Sequence, residues 1–151
     1  MNVTNATDAL HTEPKGIGGW LILPMLETLL SPLLALRGIV EIVSAFERDL
    51  TPGLKILLIF EIIFNLCLII GWIVAAVRLF KHKRSFPSLF ITMLILSFAG
   101  PLVDAFIAVW IFEVQLGPDD YRYLGRGLIS LLIWAPYMAK SKRVRNTFIV
   151  S

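Results

Sequence analysis

The chain has 151 residues, 57% of them hydrophobic and 17% charged, where soluble proteins average about 25% charged. That balance excludes an ordinary soluble enzyme or binding domain and points to an integral membrane protein built as one unit. The formal net charge of +3 does not argue for nucleic acid, because most basic residues sit at the ends of apolar segments, where the positive-inside bias accounts for them.

Residues 1–16 form a polar tail without the basic start of a signal peptide, so the apolar run after it is read as a retained helix. Asn2-Val3-Thr4 and Asn5-Ala6-Thr7 match the glycosylation acceptor pattern, which is short enough to arise by chance. Gly16-Ile17-Gly18-Gly19 and Trp20 supply a flexible entry with an interfacial aromatic. A bilayer core of about 30 Å takes about 20 helical residues. Four segments reach that length: Ile17 to Leu36, Ile56 to Leu79, Pro87 to Phe112 and Tyr121 to Ala139. The last is the weakest, diluted by Arg122, Gly125, Arg126, Gly127 and Pro136. Thr51-Pro52-Gly53 and Gly117-Pro118-Asp119-Asp120 break the chain before spans two and four. Pro87 suits a first helical turn, whereas Pro24, Pro32, Pro101 and Pro136 inside spans predict kinks.

The expected fold is therefore all-α: a polytopic bundle of four kinked transmembrane helices over residues 17–139. A polar tail at 1–16 precedes it and a basic tail at 140–151 follows it. Charge sets the orientation. Lys15, Arg78, Lys81, Lys83, Arg84, Lys140, Lys142, Arg143 and Arg145 share one side with Asp8 and Glu13, a net of +7. The other side carries Arg37, Arg48, Lys55, Arg122 and Arg126 against Glu41, Glu47, Asp49, Glu113, Asp119 and Asp120, a net of −1. Both termini are expected in the cytoplasm.

Three carboxylates interrupt these spans: Glu27, Glu61 and Asp104. Each costs roughly 2.5–3.5 kcal/mol to insert, so partners are expected. At about 1.5 Å of rise per residue, Arg37, Glu61, Asp104 and Arg126 fall in the outer part of the membrane on four helices. Asn65 lies one turn from Glu61. This cluster closes as Arg37 with Asp104 and Arg126 with Glu61, or with partners exchanged. Glu27 lies near the midplane, where no basic residue shares its depth, which makes it the candidate proton site. Two readings of the outer cluster stand: snorkelling anchors, or a functional polar site.

No catalytic motif is present: no H-E-x-x-H, no G-x-S-x-G, no phosphate loop and no Cys-x-x-Cys. His11 and His82 stand apart from other ligand-type residues, and Cys67 is a single cysteine, so neither a metal nor another cofactor is expected. Gly71 and Ala75 form a small-xxx-small pair suited to helix packing. In the basic tail, Lys140, Lys142, Arg143 and Arg145 suit an anionic leaflet, and Val144, Phe148 and Ile149 suit burial at its surface or docking to a partner.

Gly16-Ile17-Gly18-Gly19-Trp20-Leu21-Ile22-Leu23, followed by Leu30-Ser31-Pro32-Leu33, resembles the opening of a bacterial membrane protein family known as domain of unknown function 2569. The stretch from Trp134-Ala135-Pro136-Tyr137 through Lys140-Ser141-Lys142-Arg143-Val144-Arg145-Asn146-Thr147-Phe148 is similar to that family's ending. The resemblance implies a four-helix protein of the bacterial inner membrane with no assigned reaction. Glu61, Asn65 and Asp104 look similar to polar positions in the family, whereas Glu27 departs from a segment expected to be apolar. Two functions follow as expectations. The first is a non-enzymatic accessory protein that binds another membrane protein, or itself as a homo-oligomer, through its helix faces or its C-terminal tail. The second is a small oligomeric proton- or solute-coupled transporter that uses the intramembrane carboxylates.

Overall fold

The computed structural model describes residues 16–46 and 48–150. Asn2, Asn5, Asp8, His11, Glu13, Lys15 and Glu47, with most of the expected polar tail, lie outside the described residues. A single 3-10 turn, Gly19–Leu21, leads into α1 (Ile22–Ala45), α2 (Pro52–Phe80), α3 (Phe86–Phe112), α4 (Pro118–Lys140) and the short α5 (Lys142–Thr147).

Local chemistry fixes the ends. Thr51 caps α2 by accepting the Leu54 N–H, and Pro52 occupies the first turn, where its missing N–H costs nothing. Pro87 plays the same part in α3. That helix ends at Glu113, whose left-handed backbone (φ 54°) lets the Val114 N–H reach back to the Ala108 carbonyl at 3.0 Å. At the start of α4, the Asp120 carboxylate accepts the Gly117 N–H at 2.7 Å, and Asp119 and Asp120 complement the helix dipole. The helices run uninterrupted through Pro32, Pro101 and Pro136.

Three helical stretches are long and apolar enough to cross a membrane: Gly19–Ala45, Pro52–Phe80 and Phe86–Phe112. Helix α4 has the length but not the hydropathy, and it is the most amphipathic of the long helices. Of the four expected spans, three are thus found as helices long and apolar enough to cross a membrane, and the fourth is a mixed helix that is not apolar enough. The first apolar helix also runs further than expected, past Arg37 and Glu41 to Ala45.

Helix α1 packs on α2, α2 on α3, and α3 on α4. The α2–α3 seam is set by small residues facing large ones. A Cβ at Gly71 would stand 2.6 Å from the Met93 sulfur, and Gly100 lies flat against the Phe64 ring. Trp72 ties the same helices by donating its indole N–H to Ser97 Oγ at 3.2 Å, with its ring edge-on to Phe90.

The buried apolar residues gather at one end of the bundle, the end of the α2–α3 turn. Leu21, Trp72, Leu79, Phe86, Phe90 and Met138 are the largest of its fully buried side chains. No described residue from Leu29 to Cys67, or from Ile95 to Tyr137, is buried. One half of the bundle is closed and the other is open.

The basic tail is part of the closed end. Val144, Thr147 and Phe148 are buried, and the Phe148 ring stacks at 4.7 Å on Phe86. The Gly16 N–H donates to Thr147 Oγ1 at 3.0 Å, and the Arg143 guanidinium donates to the Gly18 carbonyl. Val150 pairs with the α2–α3 turn, accepting the Arg84 N–H at 2.8 Å and donating to the His82 carbonyl at 3.1 Å. The expectation that Val144 and Phe148 reach the membrane surface or a partner is corrected. Spaced one helical turn apart, they pack into the buried core of the closed end instead. Ile149 stays 71% exposed.

Candidate functional site

The open half holds the polar residues. Glu61 on α2 and Asp104 on α3 face each other across the seam, and their carboxyls lie within hydrogen-bonding reach. Asp104 Oδ1 is buried and has no hydrogen-bond donor. Tyr123 on α4 lies within electrostatic reach of Glu61 and Glu41, and Asp120 within that of Asp104. Both groups come from the amphipathic helix.

Asn65 does not join this pair. Its amide donates to the Glu61 carbonyl of its own helix at 2.9 Å, and its oxygen faces Gly38 of α1. The close approach of α1 to α2 there explains the orientation.

The expected cross-helix ion pairs do not form. Arg37 Nε donates to Glu41 Oε1 at 2.8 Å, with the two side chains 76% and 62% exposed. Because α1 continues to Ala45, these residues sit one turn apart, and a local partner costs less order than a distant one. On α4, Arg122 pairs with Asp119 at 3.2 Å. Arg126 is exposed and belongs to neither ion pair. Helix register brings the two acids together. Opposite charge on neighbouring helices was the wrong guide.

Glu27 is half-buried on α1, and its carboxylate accepts a hydrogen bond from Ser130 of α4. This bond ties the first helix to the fourth and closes the ring of packed pairs. Ser130 supplies a hydroxyl donor where the charge pattern offers no basic partner. Counted from the Ala139 end at about 1.5 Å per residue, Ser130 lies roughly 13 Å deep, the same level as Glu27. The signal was in the sequence, in a hydroxyl.

Of the tail residues, Lys140, Lys142 and Arg145 are exposed, while Arg143 and Phe148 are committed to the clasp and the core. Among the described residues, no group of three or more His, Cys, Asp or Glu is placed to hold a metal ion.

Comparison with known proteins carries the last step. Neither curated proteins nor solved structures give a match to the chain. One family model matches residues 14–149, which takes in every described helix and both stretches of resemblance. The chain belongs to the family described as Protein of unknown function (DUF2569).

Proposed function

We propose that the protein is a non-enzymatic, four-span protein of the bacterial inner membrane, with both termini in the cytoplasm, that binds a transmembrane helix of another membrane protein along its open half. The observation that carries this reading is the division of the bundle. Burial is confined to one half, and the other leaves the Glu61–Asp104 pair half-buried and Arg126 exposed. Polar groups facing hydrocarbon are costly, and helix association in lipid relies on close packing and interhelical hydrogen bonds. A partner helix over this half would shield the pair from hydrocarbon.

A photo-crosslinking residue in place of Tyr123 tests the reading, with Ile70, exposed on the other half, as the reference position. A discrete protein adduct at position 123, absent at 70 and lost in E61Q/D104N, supports it. A doubled chain at position 123 makes the partner a second copy. Lipid adducts alone at both positions overturn it.

A second reading is favoured by one observation: Glu61 and Asp104 lie close together across the α2–α3 seam, and neither belongs to an ion pair among the described residues. Under this reading the protein is an oligomeric proton- or solute-coupled transporter, with Glu27 below the pair. Proton flux into liposomes that is abolished in D104N and E27Q supports it. Flux unchanged in both variants counts against it.

A further inference from the structure

The closed end carries a feature that neither reading uses. A surface groove of about 430 Å³ runs along α2 to the start of α3. Its apolar part is Ile73, Val74 and Val77, each between 39% and 50% exposed. Its polar part is Arg78, Lys81 and Ser85, with Lys83 beside them. Spacings of three and four residues align 73 with 77, and 74 with 78 and 81, along one helix face. The face therefore changes from hydrocarbon-like to cationic within about 12 Å of rise.

Among the described residues, charge at this end has one sign. The sequence holds no Asp or Glu between Glu61 and Asp104, and none after Asp120. Arg78 and Lys81 therefore have no carboxylate within their own stretch of chain. Ser85 makes no capping hydrogen bond, so its hydroxyl remains available, and the α3 N-terminus beside it adds positive potential.

We propose that this groove binds one anionic phospholipid, with the phosphate held by Arg78, Lys81 and Ser85 and an acyl chain lying along Ile73, Val74 and Val77. Two features select a lipid over a soluble phosphate. The apolar floor is continuous with the helix surface, and it sits on the hydrocarbon side of the cations. Basic pockets at the cytoplasmic ends of transmembrane helices favour anionic headgroups for the same reason.

The test is native mass spectrometry of the full chain in mild detergent, titrated with dioleoyl phosphatidylglycerol or dioleoyl phosphatidylcholine. One phosphatidylglycerol is expected to be retained in preference to phosphatidylcholine. The double variant R78Q/K81Q is expected to weaken that retention by roughly tenfold or more, at about a fivefold effect per cation. K140Q/K142Q removes the same charge from the same end outside the groove, and is expected to change retention less than about twofold. Circular dichroism of each variant checks that the helices persist. Equal retention of the two lipids overturns the proposal, as do equal losses in the two double variants. Displacement of the lipid by an equal concentration of glycerol 3-phosphate overturns it as well, because the site would then recognise phosphate alone.

Discussion

Ser130 is the donor that Glu27 has inside the bundle, and their bond is the one polar tie described between the first and fourth helices. Removing one partner of such a bond leaves the other without compensation, at a cost of about 1–3 kcal/mol. Ser130→Ala is therefore expected to lower the thermal midpoint in detergent. Glu27→Gln, which keeps an acceptor, should lower it less, and the double change Glu27→Leu with Ser130→Ala should recover much of the loss. Equal midpoints for wild type and Ser130→Ala would show that the bond contributes nothing. Arg37 gives the opposite expectation. Its pair with Glu41 is exposed on both sides, so Arg37→Gln should change stability by no more than about 0.5 kcal/mol. A loss several times larger, read from the same melts, would mean that Arg37 supports a second helix.

At the scale of the element, the apolar periods identified α2 and α3 closely, because runs this long and this apolar admit few alternatives. The end of α1 was hidden by Arg37 and Glu41. Charged residues read as a boundary when counted singly, yet they neutralise each other one turn apart inside a helix. The fate of residues 142–148 was also obscure, since a short basic segment with two apolar residues reads equally as a surface peptide or a core plug. What decides it is the packing of Phe148 against Phe86 in the closed end, a tertiary fact. The Glu61–Asp104 pairing was illegible for a related reason. Register between α2 and α3 is set by small residues against large ones, as at Gly100 and Phe64, and the charges follow. Gly100→Ala should accordingly drive a methyl into the Phe64 ring and destabilise by about 1–3 kcal/mol. Phe64→Leu in the same chain should relieve part of that cost in thermal melts. An unaffected single variant would show that the seam has slack.

For the whole molecule, stability is expected to be unequal along the bundle axis. The closed end holds the large buried residues, and Phe148 is only 2% exposed there. Phe148→Ala should cost about 3–5 kcal/mol, and removal of the chain after Lys140 should cost more, because the clasp on Gly16 and Gly18 goes with it. Limited proteolysis in detergent reads both. Survival of the truncated chain at wild-type rates would refute the assignment of the tail to the core. Orientation is testable separately. With Cys67 replaced by Ser, a cysteine at Gln115 should react with an impermeant maleimide from outside intact cells, and one at Ser85 only after lysis. The reverse pattern would turn the molecule over.

The clasp between α5 and the entry segment also sets a timetable. Arg143 and Gly18 stand 125 residues apart in the chain. At ribosomal speeds of about 5–20 residues per second, Gly18 waits roughly 6–25 seconds for its partner to be synthesised. During that interval the early helices are already in the bilayer, while Leu21 and Phe86 still lack the cover that Val144 and Phe148 will provide. A chain that stalls or is cut within α4 never receives that cover, and an uncovered apolar patch beside the membrane is the kind of feature a quality-control protease can recognise. The arrival of residues 143–148 is thus recorded in the fold itself.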